Sequence, residues 1–217
     1  FHGASPFHRT TGEPLVNSSV PTYSSVFGEE IVKLARKDKS VIAITAAMCE
    51  GTGLSRFARE FPDRFYDVGI AEQHAVNFAA GLALSGFRPV VAIYSTFLQR
   101  AYDQLYHDVS LMDLPVVFAL DRAGVVSDDG PTHQGINDII YLRHVPHLVV
   151  MAPKDENELR RMLRSAFSYR HPAAIRFPKG EGRGVALEDI PPEIAPGRSE
   201  LLKEGKNLLL AYGSMVY

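Results

Sequence analysis

The stretch Ala71–Tyr94, AEQHAVNFAAGLALSGFRPVVAIY, decides the fold. Ala75, Val76, Phe78, Ala79, Ala80, Leu82 and Ala83 predict a helix over Ala71–Ser85 with hardly any polar face. A helix that apolar belongs in the middle of a protein or in an interface. Gly86 stands where a C-cap would end it, and Pro89–Tyr94 then reads as a strand buried on both faces. A helix running straight into an all-apolar strand is half of a parallel β-α-β unit, so the rest of the chain is read for more of the same.

It supplies them on both sides. Tyr23–Lys37 carries Val26, Phe27, Ile31, Leu34 and Ala35 at helical spacing, with Ser24 as the expected N-cap. Strands are predicted at Val41–Ala46, Phe65–Val68, Pro115–Leu120, Leu148–Ala152 and Ala173–Phe177. Helices are predicted at Gly53–Phe61, Phe97–Ser110 and Asp155–Tyr169. The alternation predicts an α/β fold, a parallel sheet with helices on both faces. Residues 1–22, rich in Gly, Pro, Ser and Thr, read as a linker or wrapping segment, and 23–188 as the α/β domain. The polar, Pro-rich 189–206 reads as an interdomain linker, and 207–217 as the first strand of a further domain. A chain that starts at Phe1 and stops after such a run is expected to be a piece of something larger.

The chain has 217 residues, 23 Lys+Arg against 25 Asp+Glu and a net charge of −2, which removes the basic footprint of a nucleic-acid or anionic-membrane binder. The single Cys49 allows neither an internal disulfide nor a Cys-rich metal site, so a reducing compartment, the cytoplasm, is expected. No apolar run approaches the roughly 18 residues of a membrane span. No phosphate-loop or dinucleotide fingerprint is present.

In parallel sheets function collects in the loops after the strands' carboxyl ends. Ala47–Thr52, Ser95–Arg100, Asp121–Gln134 and Pro178–Gly182 are those loops here. In Asp67-Val-Gly-Ile-Ala-Glu72-Gln-His74 the glutamate opens the apolar helix. It is either a first-turn carboxylate complementing the helix dipole or a desolvated acid pushed towards protonation, able to donate to a ring nitrogen. His74 reads more simply as a helix-start residue. Tyr94 to Arg100 sets a phenol, two hydroxyls and a guanidinium at a strand end, suited to an anionic, hydroxylated small molecule. Phe97 within it reads most simply as core. The loop Asp121–Gln134 holds three Asp, an Arg and a His, and loops that long are usually functional. A metal site at Asp128, Asp129 and His133 is the weaker reading, for lack of a second ligand cluster. Arg100, Arg122, Arg176 and Lys179 together are expected to line a phosphate pocket.

These residues also carry a resemblance. DVGIAEQHAVNFAAGLALSGFRPVVAIYSTFLQRAYDQLYHD, LPVVFALDRAGVVSDDGPTHQG, MAPKDENEL and IRFPKG resemble the middle, pyrimidine-binding domain of the 1-deoxy-D-xylulose-5-phosphate synthase family, transketolase-like enzymes that use thiamine diphosphate. The resemblance implies condensation of pyruvate, with loss of carbon dioxide, and D-glyceraldehyde 3-phosphate, feeding isoprenoid, thiamine and pyridoxal synthesis. It implies that Glu72 hydrogen-bonds the cofactor's pyrimidine and promotes the imino form, making it catalytic as well as cofactor-binding. Phe97 packs on that ring, with Ile70 and Met48 as props. Tyr94, Arg100, Asp129 and His133 line the substrate pocket, His133 also counting as catalytic, and Arg122 and Lys179 bind the phosphate. It also implies Mg2+ and diphosphate held by a domain outside this chain, a chain inactive alone, and a homodimer. The sequence departs from the family at Lys179, where an arginine is usual, at Ser127-Asp128 in place of Gly-Ala, and at Cys49. A two-oxoacid dehydrogenase beta-like subunit and a non-catalytic interaction domain of the same fold remain the alternatives; YSTFLQRAYDQ speaks against the first.

Overall fold

The structure, a computed structural model, describes residues 7–13, 19–126, 129–189 and 192–217. The apolar runs become six strands: β1 (Val41–Thr45), β2 (Phe65–Asp67), β3 (Arg88–Tyr94), β4 (Val117–Asp121), β5 (Val149–Met151) and β6 (Ala173–Arg176). They form one sheet, ordered β2-β1-β3-β4-β6-β5, and every pairing is parallel. In register Val41 lies opposite Arg88, Val90 opposite Val117, and Val117 opposite Ala173.

Alternate residues of these strands feed two cores. Val41, Ala43, Val90, Ala92, Val117, Ala119, Ala173 and Ile175 face α1 (Tyr23–Lys37), α2 (Ser55–Glu60) and α7 (Glu156–Ser168). Ile42, Ile44, Val91, Ile93, Phe118, Leu120 and Ala174 face α3 (Glu72–Leu84) and the helical run after β3. Burial on both faces is why the strands read as unbroken apolar runs. Their small and β-branched residues let α3, with Ala75, Ala79, Ala80 and Ala83 inward, lie close to the sheet.

Several expectations need adjusting. The N-cap of α1 is Thr22, whose side chain accepts from the Ser25 N–H; Ser24 is already helical. The helix predicted over Phe97–Ser110 starts at Ser95 and is not uniform. It runs as α4 (Ser95–Leu98), a 3-10 turn (Gln99–Ala101), α5 (Tyr102–Gln104) and a π-helical stretch (Leu105–Ser110). A further short helix, α6 (Asp138–Leu142), lies where no element is predicted. Asn207–Tyr212, expected to be a strand, forms none: Leu208, Leu209 and Leu210 are exposed, and no strand among the described residues pairs with them. The expected linker 189–206 is partly described, and it is laid along α7, with Ile194 N–H donating to Ser165 Oγ at 2.7 Å and Arg161 Nε to the Pro192 carbonyl at 3.2 Å.

One close approach ties α1 to the loop after β1. A Cβ on Gly28 would meet the Gly53 carbonyl oxygen at 2.2 Å, and Gly53 itself has φ +78°. The same helix brings in Glu30, 1% exposed, to meet Arg160 Nε at 3.1 Å. No helix among the described residues is long and apolar enough to cross a membrane.

Candidate active site

The carboxyl ends of β1, β3, β4 and β6 point to one side, and most of the singled-out residues meet there. Glu72 opens α3 and is 1% exposed. Its burial is as expected, but its partner is not. Arg100 Nη1 donates to Glu72 Oε1 at 2.6 Å, from the 3-10 turn that interrupts the helix after β3. The Arg100 guanidinium carbon also stands 4.9 Å from the centroid of the Phe97 ring. Arg100, expected beside substrate, thus sits on the glutamate and the aromatic expected to hold the cofactor.

Phe97 joins this group to the next. Tyr94 stacks on it at 6.0 Å and His133 meets it edge-on at 5.2 Å. Tyr94 and His133 are themselves 6.5 Å apart. The backbone N–H of Tyr94 donates to Met48 Sδ at 3.4 Å, so Met48 lies beneath the same cluster. Burial pushes the Tyr94 phenol above its ordinary pKa, with Arg122 working against the shift. Gly51 lies against the Tyr94 hydroxyl, which would have to shift to admit a Cβ there.

Against the face of the Tyr94 ring lies Arg122, its guanidinium carbon 3.8 Å from the centroid. Arg122 has φ +58°, in the left-handed region, directly after β4. Its Nη1 donates to the Gly51 carbonyl at 2.7 Å and to Asp121 Oδ1 at 3.0 Å. Its Nε is buried without a hydrogen bond among the described residues, 3.6 Å from Asp129 Oδ2. Asp129 is bonded in turn by Lys179 Nζ at 2.7 Å. The two cations expected to hold a phosphate therefore share one carboxylate between them.

By sequence Asp121 is only one acid among three, and the geometry gives it more. It is fully buried and accepts from Ser24 Oγ at 2.5 Å and from the Arg122 N–H at 2.7 Å. Burial raises its carboxyl from 3.8 to about 6, against those hydrogen bonds and the Arg122 charge. A hydroxyl one residue inside a helix, two after its true cap, is the available signal for Ser24. Arg176 does not join the cation group: its Nε donates to Asp138 Oδ2 at 2.9 Å, an oxygen also bonded by Ser95 Oγ. Its expected place in a phosphate pocket is corrected, since β6 delivers it to the start of α6. Ile70, two residues ahead of α3, is 80% exposed. His74 stacks on Phe78 at 6.0 Å. Asp128, and with it the Ser127-Asp128 departure, lies outside the described residues, among which no cluster of three His, Cys, Asp or Glu could hold a metal. Cys49 is half-buried, with its thiol pKa raised by burial.

A buried carboxylate and an aromatic ring are thus bridged by one planar, nitrogen-bearing cation. The cation group beyond Tyr94 suits an anion. Comparison with known proteins gives the family. A family described as "Transketolase, pyrimidine binding domain" matches residues 19–184. A 1-deoxy-D-xylulose-5-phosphate synthase of Syntrophus aciditrophicus is 59% identical over 100% of this chain and 34% of that protein. One from Dictyoglomus thermophilum is 61% identical over 98% of this chain and 35% of that protein. The chain thus spans about a third of the length of these relatives. Among solved structures, a split gene transketolase described as an inactive beta4 tetramer superposes with a TM-score of 0.73, at 30% identity, over 87% of this chain and 61% of its own. A Campylobacter jejuni transketolase, 21% identical with a TM-score of 0.68 over 75% of this chain and 26% of its own, shares the fold.

Proposed function

The chain belongs to the family of transketolase pyrimidine-binding domains, and from that premise we propose that it is the pyrimidine-binding part of a 1-deoxy-D-xylulose-5-phosphate synthase. The enzyme joins pyruvate, with loss of carbon dioxide, to D-glyceraldehyde 3-phosphate. The observation that carries this reading is the Glu72 carboxylate, buried at the head of an apolar helix and facing the Phe97 ring across Arg100. When bound, thiamine diphosphate supplies the thiazolium carbon that takes up the two-carbon unit and stabilises its charge.

This chain's residues do the rest. Glu72 holds a hydrogen bond to the pyrimidine nitrogen, which selects the tautomer able to move a proton. Phe97 would support the ring, with Met48 and Ile70 as further apolar contacts. Tyr94 and His133 stand where pyruvate and the aldehyde meet, His133 able to exchange a proton with the developing alkoxide. Arg122 and Lys179 fix the substrate phosphate and so aim the aldehyde, a positioning effect. Asp129, held between these two cations, is the carboxylate with which a bound phosphate would compete. The diphosphate and its Mg2+ belong, on this reading, to another part of the enzyme. A homodimer is supported by the exposed apolar Leu84 and Phe87 at the end of α3. The lone cysteine favours the cytoplasm.

The test uses the full-length gene product. Titration calorimetry with thiamine diphosphate and magnesium should show binding. Glu72→Gln should then slow exchange of the thiazolium C2 proton, followed by NMR, by about a hundredfold or more. Absent binding, or undiminished exchange in the variant, sinks the assignment.

A further inference from the structure

We propose that Arg100 is a placeholder for the cofactor's pyrimidine: its guanidinium lies in the slot between Glu72 and Phe97 and must leave as the ring enters. The inference rests on the function proposed above and goes beyond it by moving Arg100 from the substrate to the cofactor. Three observations carry it. Arg100 Nη1 donates to Glu72 Oε1 at 2.6 Å, so it occupies an oxygen of the carboxylate a pyrimidine would need. The guanidinium carbon is 4.9 Å from the Phe97 centroid, so it also lies on the ring a pyrimidine would stack against. A guanidinium is flat and delocalised, as an aminopyrimidine is, and either can lie on an aromatic face while hydrogen-bonding a carboxyl group, the guanidinium as donor and the ring nitrogen as acceptor.

The third observation concerns how it could leave. Arg100 sits in the 3-10 turn Gln99–Ala101, between two short α-helical pieces, and Ala101 departs from helical geometry with φ −111° and ψ 22°. A 3-10 stretch inside a helix is a common site for a hinge. The side chain is itself 49% exposed, so it has solvent to swing into, whereas Glu72 at 2% does not. The pair therefore opens by motion of the arginine alone.

A buried glutamate needs a counter-charge while no ring is present, because an unpaired buried charge is costly. Arg100 supplies one that binds less strongly than the cofactor and can be displaced. The consequence is a smaller apparent affinity, reduced by the fraction of time the slot is open.

The test measures binding of thiamine diphosphate with magnesium to the full-length gene product, by calorimetry, for wild type and Arg100→Met. The methionine fills similar length without charge or donors. The expected result is binding about fivefold tighter in the variant, the weight of a half-exposed ion pair. Unchanged or weaker binding overturns the proposal and makes Arg100 a permanent support of Glu72. A second measurement does not depend on the variant folding: the wild type is labelled with phenylglyoxal and digested for mass spectrometry. Modification of Arg100 should rise when cofactor is added; constancy or a fall overturns the proposal equally. A wild type that binds no thiamine diphosphate removes the functional reading and this inference together, whereas binding without these effects removes the inference alone.

Discussion

Replacing Asp121 by Asn should change how stability depends on pH, and by a calculable amount. Asp121 is fully buried at the end of β4, and its carboxyl is raised from 3.8 to about 6 by burial. A carboxyl raised on folding binds its proton more tightly in the native state than in the unfolded one. Its contribution is therefore fully present below about pH 4 and is lost as pH rises through about 6. A shift of about two units corresponds to about 3 kcal/mol at 1.36 kcal/mol per unit. The amide that Asp121→Asn introduces would keep the shape, its oxygen still accepting from the Arg122 N–H and its NH2 donating to the Ser24 hydroxyl oxygen, but cannot ionise. Denaturant unfolding of both proteins at intervals from pH 4 to pH 7.5 cancels every other titration in the difference. Asp121→Asn should gain on the wild type by about 3 kcal/mol across that range, with the change complete shortly above pH 6. A difference that is flat, or that moves in favour of the wild type as pH rises, would mean that the Arg122 pairing outweighs burial, and the reasoning fails.

Three further outcomes follow from contacts described above. Gly28→Ala, which on an open helix face would stabilise, should instead cost about 1–3 kcal/mol in denaturant unfolding, because its Cβ would lie 2.2 Å from the Gly53 carbonyl. Glu30→Gln should cost about 3–5 kcal/mol, since it strands Arg160, 3% exposed, without its charge partner; a loss under 1 kcal/mol would show the pair to be dispensable. Lys179→Arg should lower the Michaelis constant for the phosphate-bearing substrate about fivefold with kcat unchanged, because a planar fork grips a phosphate where an ammonium offers a point charge. Steady-state kinetics with that substrate varied decide it, and a kcat effect would place Lys179 nearer the reacting atoms than proposed.

The framework of the fold was legible because its signal is local. Strands such as Val41–Thr45 and Val117–Asp121 are buried along their whole length, and mostly apolar residues tolerate that. Capping was harder to read, since Thr22, Ser24 and Ser25 all offer hydroxyls and the backbone turn chooses Thr22. The breaks in the helix after β3 were hidden, because each of its residues suits a helix and the interruptions arise from what they pack against. In the site, Glu72, Phe97, Tyr94, His133 and Arg122 were recognisable by type and place. What type could not give was pairing. Arg100 and Glu72 are 28 positions apart, and Arg176 and Asp138 are 38. Which carboxylate takes which arginine is decided by strand register and helix docking, both long-range.

The two strands at the ends of the sheet, β2 and β5, have three residues each, while the four between them have four to seven. An outer strand carries a row of unused amide and carbonyl groups that can recruit a strand from another molecule. Three residues offer too few such groups for a stable intermolecular pairing, so the most apolar and most aggregation-prone segments are kept to the interior of the sheet. A variant that lengthened β5 by even one apolar pair would leave the chemistry at the carboxyl ends of β3 and β4 untouched, yet its first symptom would be lost solubility rather than lost activity.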